Sequence, residues 1–173
     1  MVHSLELIFD DDGDAAVIGE IGRLAGAGLR NPHRGQRPHT TLVAARGIGA
    51  GALGALGPVA QRLPLTLRLG APLVFSGGGG FTLARSVVPS TELLGIHATV
   101  ARLAAEHVEE EFAHSRPGAW TPHVTLARRL DPAQVGEAVA LLRERDDLTV
   151  VAAGIRQWDG ETPTETVLPG RAC

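Results

Sequence analysis

The sequence predicts an α+β fold in which one βαβ-type unit occurs twice along the chain. Segments with the pattern of strands alternate with segments that have the pattern of helices. Two of the predicted strands begin with similar residues, Pro-His-Thr-Thr-Leu at 38–42 and Pro-His-Val-Thr-Leu at 122–126. No linker rich in proline, serine or glycine separates the two units. We therefore expect residues 1–173 to form a single two-lobed domain.

The first unit starts with a strand at residues 4–9, where the sequence SLELIF alternates loosely. Acidic residues open the next helix, at about 10–29, because the helix macrodipole favours negative charge at its N-terminus. Residues 30–38 contain the turn formers and basic groups of a loop, and a strand follows at 39–45. The apolar spacing then predicts a short helix near 50–61, although each glycine in it costs about 1 kcal/mol relative to alanine.

The second unit begins with two strands, at 64–75 and 80–88, separated by the tract SGGGG at 76–80. We interpret this tract as a hairpin loop. A phosphate-binding loop is the weaker interpretation, because neither a helix nor a Lys-Ser/Thr pair follows the glycines. The strongest helical pattern of the chain extends over 89–112, and a strand is predicted at about 121–128.

Capping residues mark where the last two long helices begin. Ser90 or Thr91 can cap the helix at 89–112. In the next helix, Asp131 is the N-cap, Pro132 takes the first helical position and Gln134 closes a capping box. This helix extends over 131–145, and two strands follow it, at 148–159 and 165–169. The complete order of strands and helices suggests two ferredoxin-like halves.

Composition excludes several classes of protein. Hydrophobic residues make up 44% of the chain, which permits a core. A formal net charge of −3 argues against an extended nucleic-acid surface. The single cysteine, Cys173, allows no intrachain disulfide and no cysteine-based metal site. The start of the sequence lacks the pattern of a signal peptide and no apolar run is long enough to span a membrane, so we expect a soluble, cytoplasmic protein. We also expect a monomer.

The two histidine segments predict one shared site. Residues i and i+2 of a strand project to the same face, so His39 projects with Thr41, and His123 projects with Thr125. The two histidines are 84 residues apart (123 − 39). If a pseudo-twofold axis relates the two units, these strands can lie side by side. Two imidazoles and two hydroxyls would then meet in one cleft.

This set of side chains favours attack at phosphorus. An imidazole can both give and take a proton near neutral pH. A neutral and a protonated imidazole together provide a general base and a general acid, and hydroxyls donate hydrogen bonds to anionic oxygens. One histidine would take a proton from water while the other protonates the departing ribose oxygen. A cyclic phosphodiester is a suitable substrate because its ring holds the leaving oxygen in place.

The segments PHTTL and PHVTL resemble the paired motifs of the two-histidine phosphoesterase superfamily. Within it, the chain is similar to the RNA 2′,3′-cyclic phosphodiesterases, which are also called 2′-5′ RNA ligase-like proteins. The segments LRLGAPLVF, FTLARSVVPSTELLGIHATVARL and WTPHVTLAR follow the order of that family, so the resemblance covers nearly the whole chain. The segment VAARGIGAG departs from it, because many of these enzymes have an aromatic-containing turn after the first motif.

The resemblance implies a bilobal fold, in which pseudo-twofold halves turn antiparallel sheets toward a central cleft. It implies that His39 and His123 are catalytic, that Thr41 and Thr125 bind phosphate, and that hydrolysis needs no metal or other cofactor. The substrate would be a nucleotide or RNA end with a 2′,3′-cyclic phosphate, opened to a 2′-phosphomonoester. We assign His123 as the base and His39 as the acid, although either order fits the sequence.

Other residues have weaker patterns. Arg128 lies five residues after His123, a spacing that turns it to the surface on a regular strand, whereas a bulge would bring it to the phosphate. His97 lies on the apolar face of its helix, where a buried histidine with satisfied hydrogen bonds is the better interpretation. Neither motif offers a carboxylate at ligand spacing, so we expect no metal site. Candidates for stacking on a base are Phe9, Phe75, Phe81 and Trp120.

Two functional alternatives remain open at this point. The chain could bind an AMP-like nucleotide without turnover, or it could act on a 2′-5′ linkage or an ADP-ribose cyclic phosphate. The basic residues His33, Arg34 and Arg37 either line the mouth of the cleft or belong to a solvated loop.

Overall fold

A computed structural model describes residues 1–29, 37–77, 79–143 and 147–171. Within these ranges the chain forms eight β-strands and five α-helices, and two short 3₁₀ helices flank the fifth strand. The strands are β1 His3–Phe9, β2 His39–Ile48, β3 Leu65–Gly77, β4 Gly80–Val87, β5 Val108–Glu111, β6 His123–Leu130, β7 Leu148–Asp159 and β8 Thr164–Pro169. The helices are α1 Asp11–Gly26, α2 Gly51–Ala55, α3 Gly57–Ala60, α4 Thr91–Ala104 and α5 Pro132–Arg143.

The strands form one antiparallel sheet, which confirms the predicted α+β class. Its order is β5-β2-β1-β7-β3-β4-β6, and β8 also pairs with β7. The start of β7 pairs with β3, and the rest of β7 pairs with β1 on one edge and β8 on the other. The long strand β7 therefore joins the strands of the two halves. Although β2 and β6 lie far apart in this order, the sheet brings them into contact.

Local sequence signals position the helices as predicted. The Asp10 side chain accepts a hydrogen bond from the Gly13 amide at 2.9 Å, which caps α1. The Ser90 hydroxyl accepts one from the Leu93 amide at 3.1 Å and caps α4. At α5, the Asp131 and Gln134 side chains each accept a hydrogen bond from the backbone amide of the other, at 2.9 and 3.0 Å. This reciprocal pair is the predicted capping box.

A buried ion pair ties α1 to the sheet. Glu20 of α1 is 1% exposed and Arg85 of β4 is 2% exposed. The Arg85 Nε and Nη2 donate to the two Glu20 carboxylate oxygens at 3.0 and 2.6 Å, and Nη1 donates to the Gly70 carbonyl at 3.0 Å. The guanidinium is thus bonded on three of its donors although it is buried.

The helix predicted over 89–112 is wrong in its last part. Helix α4 ends at Ala104, a 3₁₀ turn follows at Ala105–His107, and β5 begins at Val108. Strand β5 extends the sheet by pairing with β2, where Ile48 is opposite Val108. Pairing with the edge of β2 therefore overrides the helical propensity of this acidic segment.

The remaining element boundaries follow the sequence closely. The helix predicted near 50–61 is divided at Leu56 into α2 and α3. The predicted hairpin joins β3 to β4, which pair as far as Gly77 and Gly80. Gly80 has a φ of 112°, a conformation that favours glycine. None of the helices in the described ranges combines the length and apolar character that crossing a membrane requires.

Candidate active site

The first motif strand contains a bulge directly after its threonine. The adjacent residues Leu5 and Glu6 of β1 pair with Val43 and Thr41 of β2, so Leu42 is an extra residue on β2. Its side chain is fully buried. The bulge reverses the alternation of faces, so residues after Leu42 project opposite to the direction that a regular strand would give.

The second motif strand contains a bulge at the corresponding place. The adjacent residues Leu83 and Ala84 of β4 pair with Ala127 and Thr125 of β6, so Leu126 is the extra residue. Leu126 is also fully buried. The two motifs thus share a backbone irregularity as well as a sequence pattern.

The second bulge decides where Arg128 lies. With one extra residue at Leu126, Arg128 falls on the same face as His123 in spite of its odd spacing. Arg128 lines the cleft that contains His123. The residue at the corresponding place in the first motif is Ala44, which also lines the cleft but has no charge. At this position the cleft is therefore positive on the His123 side and uncharged on the other.

The two motifs meet in a cleft of about 670 Å³ between β2 and β6. Its lining includes His39 and Thr41 from β2, and His123 and Thr125 from β6. The structure therefore brings together the four side chains that the sequence pairs by spacing. His39, Thr41 and His123 are half-buried, and Thr125 is 5% exposed. Two imidazoles and two hydroxyls can face one anionic group there.

Backbone hydrogen bonds orient both imidazoles in the same way. The Nδ1 of His39 lies 3.0 Å from the Arg37 carbonyl oxygen, and the Nδ1 of His123 lies 2.7 Å from the Thr121 carbonyl oxygen. A carbonyl oxygen only accepts hydrogen bonds, which favours a proton on Nδ1 in both rings. At His39 the Arg156 Nη2, which can only donate, also lies 3.2 Å from Nδ1. Each Nε2 then remains as the nitrogen that can exchange a proton with a substrate.

The His123 imidazole favours its neutral form. Burial lowers the pKa of His123 below its ordinary value, and the Arg128 guanidinium and the His39 ring lower it further. The hydrogen bond to the Thr121 carbonyl acts in the opposite direction but is smaller than the effect of burial. A neutral imidazole at neutral pH is ready to accept a proton.

A buried carboxylate that sequence reasoning missed lies beside the other histidine. Glu6 of β1 is 3% exposed, and its Oε1 lies 3.4 Å from the His39 Nε2. The Ser4 hydroxyl donates to the same Oε1 at 2.6 Å. Arg156 of β7 is 1% exposed, and it donates to Glu6 Oε2 from Nε at 2.7 Å and from Nη2 at 2.5 Å.

Aromatic residues cover the cleft walls. The Trp120 indole donates to the Thr41 carbonyl at 2.9 Å and stacks on His97 with ring centroids 3.9 Å apart. The Phe75 ring centroid lies 4.6 Å from that of His123. Trp120 and Phe75 both line the cleft, as does Trp158, which the sequence reasoning did not select. These rings offer flat surfaces to a nucleobase.

Two of the candidate rings do not line the cleft. Phe9 is 1% exposed and belongs to the hydrophobic core, where a side-chain atom at Gly13 of α1 would touch it. This placement corrects the expectation that Phe9 stacks on a substrate. Phe81 is half-buried and packs against the same core.

The basic residues before the first motif have a structural role where they are described. Arg37 donates to the Asp14 carboxylate at 2.9 Å and to the Phe9 carbonyl at 2.7 Å, and it is not part of the cleft lining. His33 and Arg34 lie outside the described residues. In the described ranges, no group of three histidine, cysteine, aspartate or glutamate side chains is arranged to hold a metal ion.

His97 has the structural role that its position on α4 predicts. It is 2% exposed, and its Nε2 lies 3.1 Å from the Leu42 carbonyl oxygen and 2.8 Å from the Ser115 carbonyl oxygen. Because Leu42 is the bulged residue of β2, this bond connects α4 to the strand of the first motif. Burial lowers the pKa of His97 below its ordinary value.

The lowered pKa of His97 predicts a pH-dependent stability. As the pH falls below about 6.5, the unfolded chain binds a proton at His97 while the folded chain still keeps this imidazole neutral. The unfolded state is therefore favoured on acidification, and the contribution of neutral His97 to the free energy of unfolding is lost. We expect the difference in the free energy of unfolding between the wild type and His97→Gln to shrink between about pH 7.5 and about pH 5.5. Urea unfolding at both pH values measures it, and a constant difference would contradict the prediction.

Comparison with known proteins identifies a family and a fold. The family model of the 2′-5′ RNA ligase superfamily matches residues 11–162. A search of curated proteins found no significant match.

Three similar solved structures show the same fold at low sequence identity. Escherichia coli LigT is 13% identical with a TM-score of 0.59, and the match covers 98% of this chain and 94% of that chain. The Thermus thermophilus protein TT0787 is 20% identical with a TM-score of 0.56 and coverages of 97% and 95%. Kluyveromyces marxianus Usb1 with uridine monophosphate is 16% identical with a TM-score of 0.53 and coverages of 97% and 98%. Other similar LigT structures hold 3′-AMP, phosphate or ATP.

Proposed function

The chain belongs to the 2′-5′ RNA ligase superfamily and is a phosphoesterase of the two-histidine type, and on this premise we propose that it hydrolyses 2′,3′-cyclic phosphates of nucleosides or RNA ends. The expected product is a 2′-phosphomonoester. One observation carries the proposal: His39, Thr41, His123 and Thr125 line one cleft although they come from two distant strands. These four side chains supply an acid, a base and two anion donors around a single phosphorus.

The proposed reaction is an in-line displacement at phosphorus. A neutral imidazole takes a proton from water through Nε2 as the water oxygen bonds to phosphorus. The bond from phosphorus to the ribose 3′ oxygen breaks on the opposite side, and the protonated second imidazole gives its Nε2 proton to that oxygen. The hydroxyls of Thr41 and Thr125 donate to the non-bridging phosphate oxygens. No metal ion is needed for these proton transfers in the proposed mechanism.

Charge and ring surfaces support a nucleotide ligand. The Arg128 guanidinium in the cleft can neutralise part of the charge that gathers on the phosphate oxygens. Trp120 and Phe75 line the same cleft and can stack on a base. The complexes of the similar proteins LigT with 3′-AMP and Usb1 with uridine monophosphate agree with a nucleotide-sized ligand.

A hydrolysis assay with EDTA present tests the proposal. We expect turnover of 2′,3′-cyclic mononucleotides, or of short RNA with a 2′,3′-cyclic end, to be insensitive to EDTA. Phosphorus NMR of the product identifies the 2′ or 3′ ester. Tight nucleotide binding without product would instead favour a binding module, and cleavage or joining of 2′-5′ linked dinucleotides without ring opening would favour action on that linkage. Either outcome contradicts the proposed reaction.

A further inference from the structure

We propose that Trp120 is a positioning residue, whose indole N–H holds the bulged strand of the first motif in place relative to the second motif. Thr41 and His123 then engage the same phosphate. The inference rests on the proposed function and deepens it, because it gives a role in phosphate placement to a ring that otherwise offers a surface for stacking. His97 supports the indole in this role.

The bulge at Leu42 interrupts the hydrogen-bond ladder between β1 and β2 directly after Thr41. On the other edge of β2, strand β5 pairs with the later residues Ala45–Ile48. Two side chains bond the carbonyls before that point. The Trp120 Nε1 donates to the Thr41 carbonyl at 2.9 Å, and the His97 Nε2 lies 3.1 Å from the Leu42 carbonyl oxygen, which can only accept. Ring N–H groups from outside the sheet therefore fix the backbone that carries the Thr41 hydroxyl.

The chain next to Trp120 is fixed to the second motif. The Thr121 carbonyl oxygen lies 2.7 Å from the His123 Nδ1, and the Pro122 carbonyl accepts a hydrogen bond from the Val87 amide at the end of β4, at 3.0 Å. Two adjacent residues thus contact both halves of the site, because the Trp120 side chain bonds the first motif and the Thr121 backbone bonds the second. A change at residue 120 should alter the placement of one half relative to the other.

His97 gives the indole a rigid support. Its side chain is 2% exposed, and its ring is nearly parallel to that of Trp120, at 5° with the centroids 3.9 Å apart. Its Nε2 also lies 2.8 Å from the carbonyl oxygen of Ser115, in the loop that leads to Trp120. The Phe112 amide at the start of this loop donates to the Ala44 carbonyl of β2 at 2.9 Å. The loop and the buried ring together restrict the indole to one orientation.

The indole offers different groups to the protein and to a ligand. Its single donor is the Nε1 hydrogen, and the Thr41 carbonyl accepts it. Trp120 therefore presents its ring face to the cleft and keeps its N–H for the strand. Phe75, the ring beside His123, has no donor and can only stack. The face should contribute to nucleotide binding and the N–H to placement of the phosphate.

Benzothienylalanine at position 120, introduced through an amber codon, tests the N–H alone. This residue keeps the bicyclic ring and has sulfur in place of the N–H group. We expect kcat for a 2′,3′-cyclic nucleotide to fall by about 10–100-fold because Thr41 is misplaced, and KM to change by less than about threefold because the ring face remains. Trp120→Phe should give the same separation. An unchanged kcat with benzothienylalanine, or a loss confined to KM, would overturn the inference.

A cyclic phosphate without a base separates phosphate placement from stacking. Glycerol 1,2-cyclic phosphate contains the reacting ring and no nucleobase. If Trp120 acts through Thr41, Trp120→Phe should lower kcat/KM for this substrate by about the same factor as kcat for the nucleotide, about 10–100-fold. Full activity of Trp120→Phe on the glycerol compound would show that the ring acts on the base alone, which contradicts the inference.

Variants of two histidines test the support and the specificity of the effect. His97→Phe keeps a ring beneath the indole and removes the bond to the Leu42 carbonyl, so kcat should fall in the same direction as in Trp120→Phe. His107→Ala, at a ring that lies against Gly51 outside the cleft, should keep kcat unchanged. A loss in His107→Ala equal to that in Trp120→Phe would mean general destabilisation and would reject the positioning role.

Binding of inorganic phosphate separates failure of this inference from failure of the proposed function. Proton NMR of the His123 ring follows phosphate binding without turnover. Trp120→Phe should weaken binding by about three- to tenfold, the effect of one hydrogen bond, and approach the affinity of Thr41→Val. Such a loss supports the role of Trp120 even if no cyclic phosphate is hydrolysed. An affinity equal to that of the wild type, or no phosphate binding in the wild type, rejects it even if hydrolysis occurs.

Discussion

We expect His39→Ala and His123→Ala each to lower kcat/KM for a 2′,3′-cyclic nucleotide by about 10²–10⁴-fold. In the proposed reaction, one variant removes the Nε2 that accepts the proton of the attacking water, and the other removes the Nε2 that protonates the leaving oxygen. The two groups act on the same displacement, so the double variant should be little slower than the slower single variant. Steady-state kinetics with EDTA present measures all three.

A histidine outside the cleft provides the control for these variants. The His107 ring lies against Gly51 and does not line the cleft. We expect His107→Ala to keep its activity, with far-UV circular dichroism to confirm that each variant is folded. Full activity in either cleft variant would remove the basis of the proposed reaction. A comparable loss in His107→Ala would show that the effect is not specific to the cleft.

The second large effect is expected on stability, at the buried Glu20–Arg85 pair. Glu20→Leu leaves the Arg85 guanidinium buried without its carboxylate, which should cost about 3–5 kcal/mol of the free energy of unfolding. That is a large fraction of the total for most single domains. Urea unfolding at pH 7 measures the change through the midpoint and slope of the transition.

Two variants show whether the cost comes from the unpaired charge. Replacing both partners, as Glu20→Leu with Arg85→Met, should recover most of the loss, because apolar residues of similar volume fill the site without a buried ion. Asp147→Asn breaks an exposed ion pair, in which the side chains of Asp147 and Arg68 are 45% and 63% exposed. This change should lower the free energy of unfolding by no more than about 1 kcal/mol. If the double variant is as unstable as Glu20→Leu, packing and not charge is responsible.

The sequence predicted elements whose signals are local. Asp131 and Gln134 form a capping box because both partners of each hydrogen bond lie within one helical turn. The i and i+2 spacing likewise places His39 with Thr41 on one face, since the bulge begins only after the threonine. These predictions need no knowledge of distant contacts.

The remaining features depend on contacts between distant segments. Strand β5 forms because β2 offers a free edge, which the acidic sequence near Val108 does not reveal. The bulge at Leu126, which the pairing with β4 creates, turns Arg128 to the cleft face. Glu6 and Arg156 are 150 residues apart, so the sequence around either residue does not predict that the two form an ion pair. The sequence did contain one signal, because Glu6 and Arg156 each place a charge in the middle of an apolar strand. A buried ion pair between the two strands explains both charges.

The cleft also contains a natural optical reporter. The chain has two tryptophans and no tyrosine, and both tryptophans, Trp120 and Trp158, line the cleft. Intrinsic fluorescence therefore arises from the walls of the cleft, even at excitation wavelengths that tyrosine absorbs. A nucleobase that stacks there changes the emission of the unmodified protein. The imidazole of His97 beneath the Trp120 indole makes the same signal sensitive to acid.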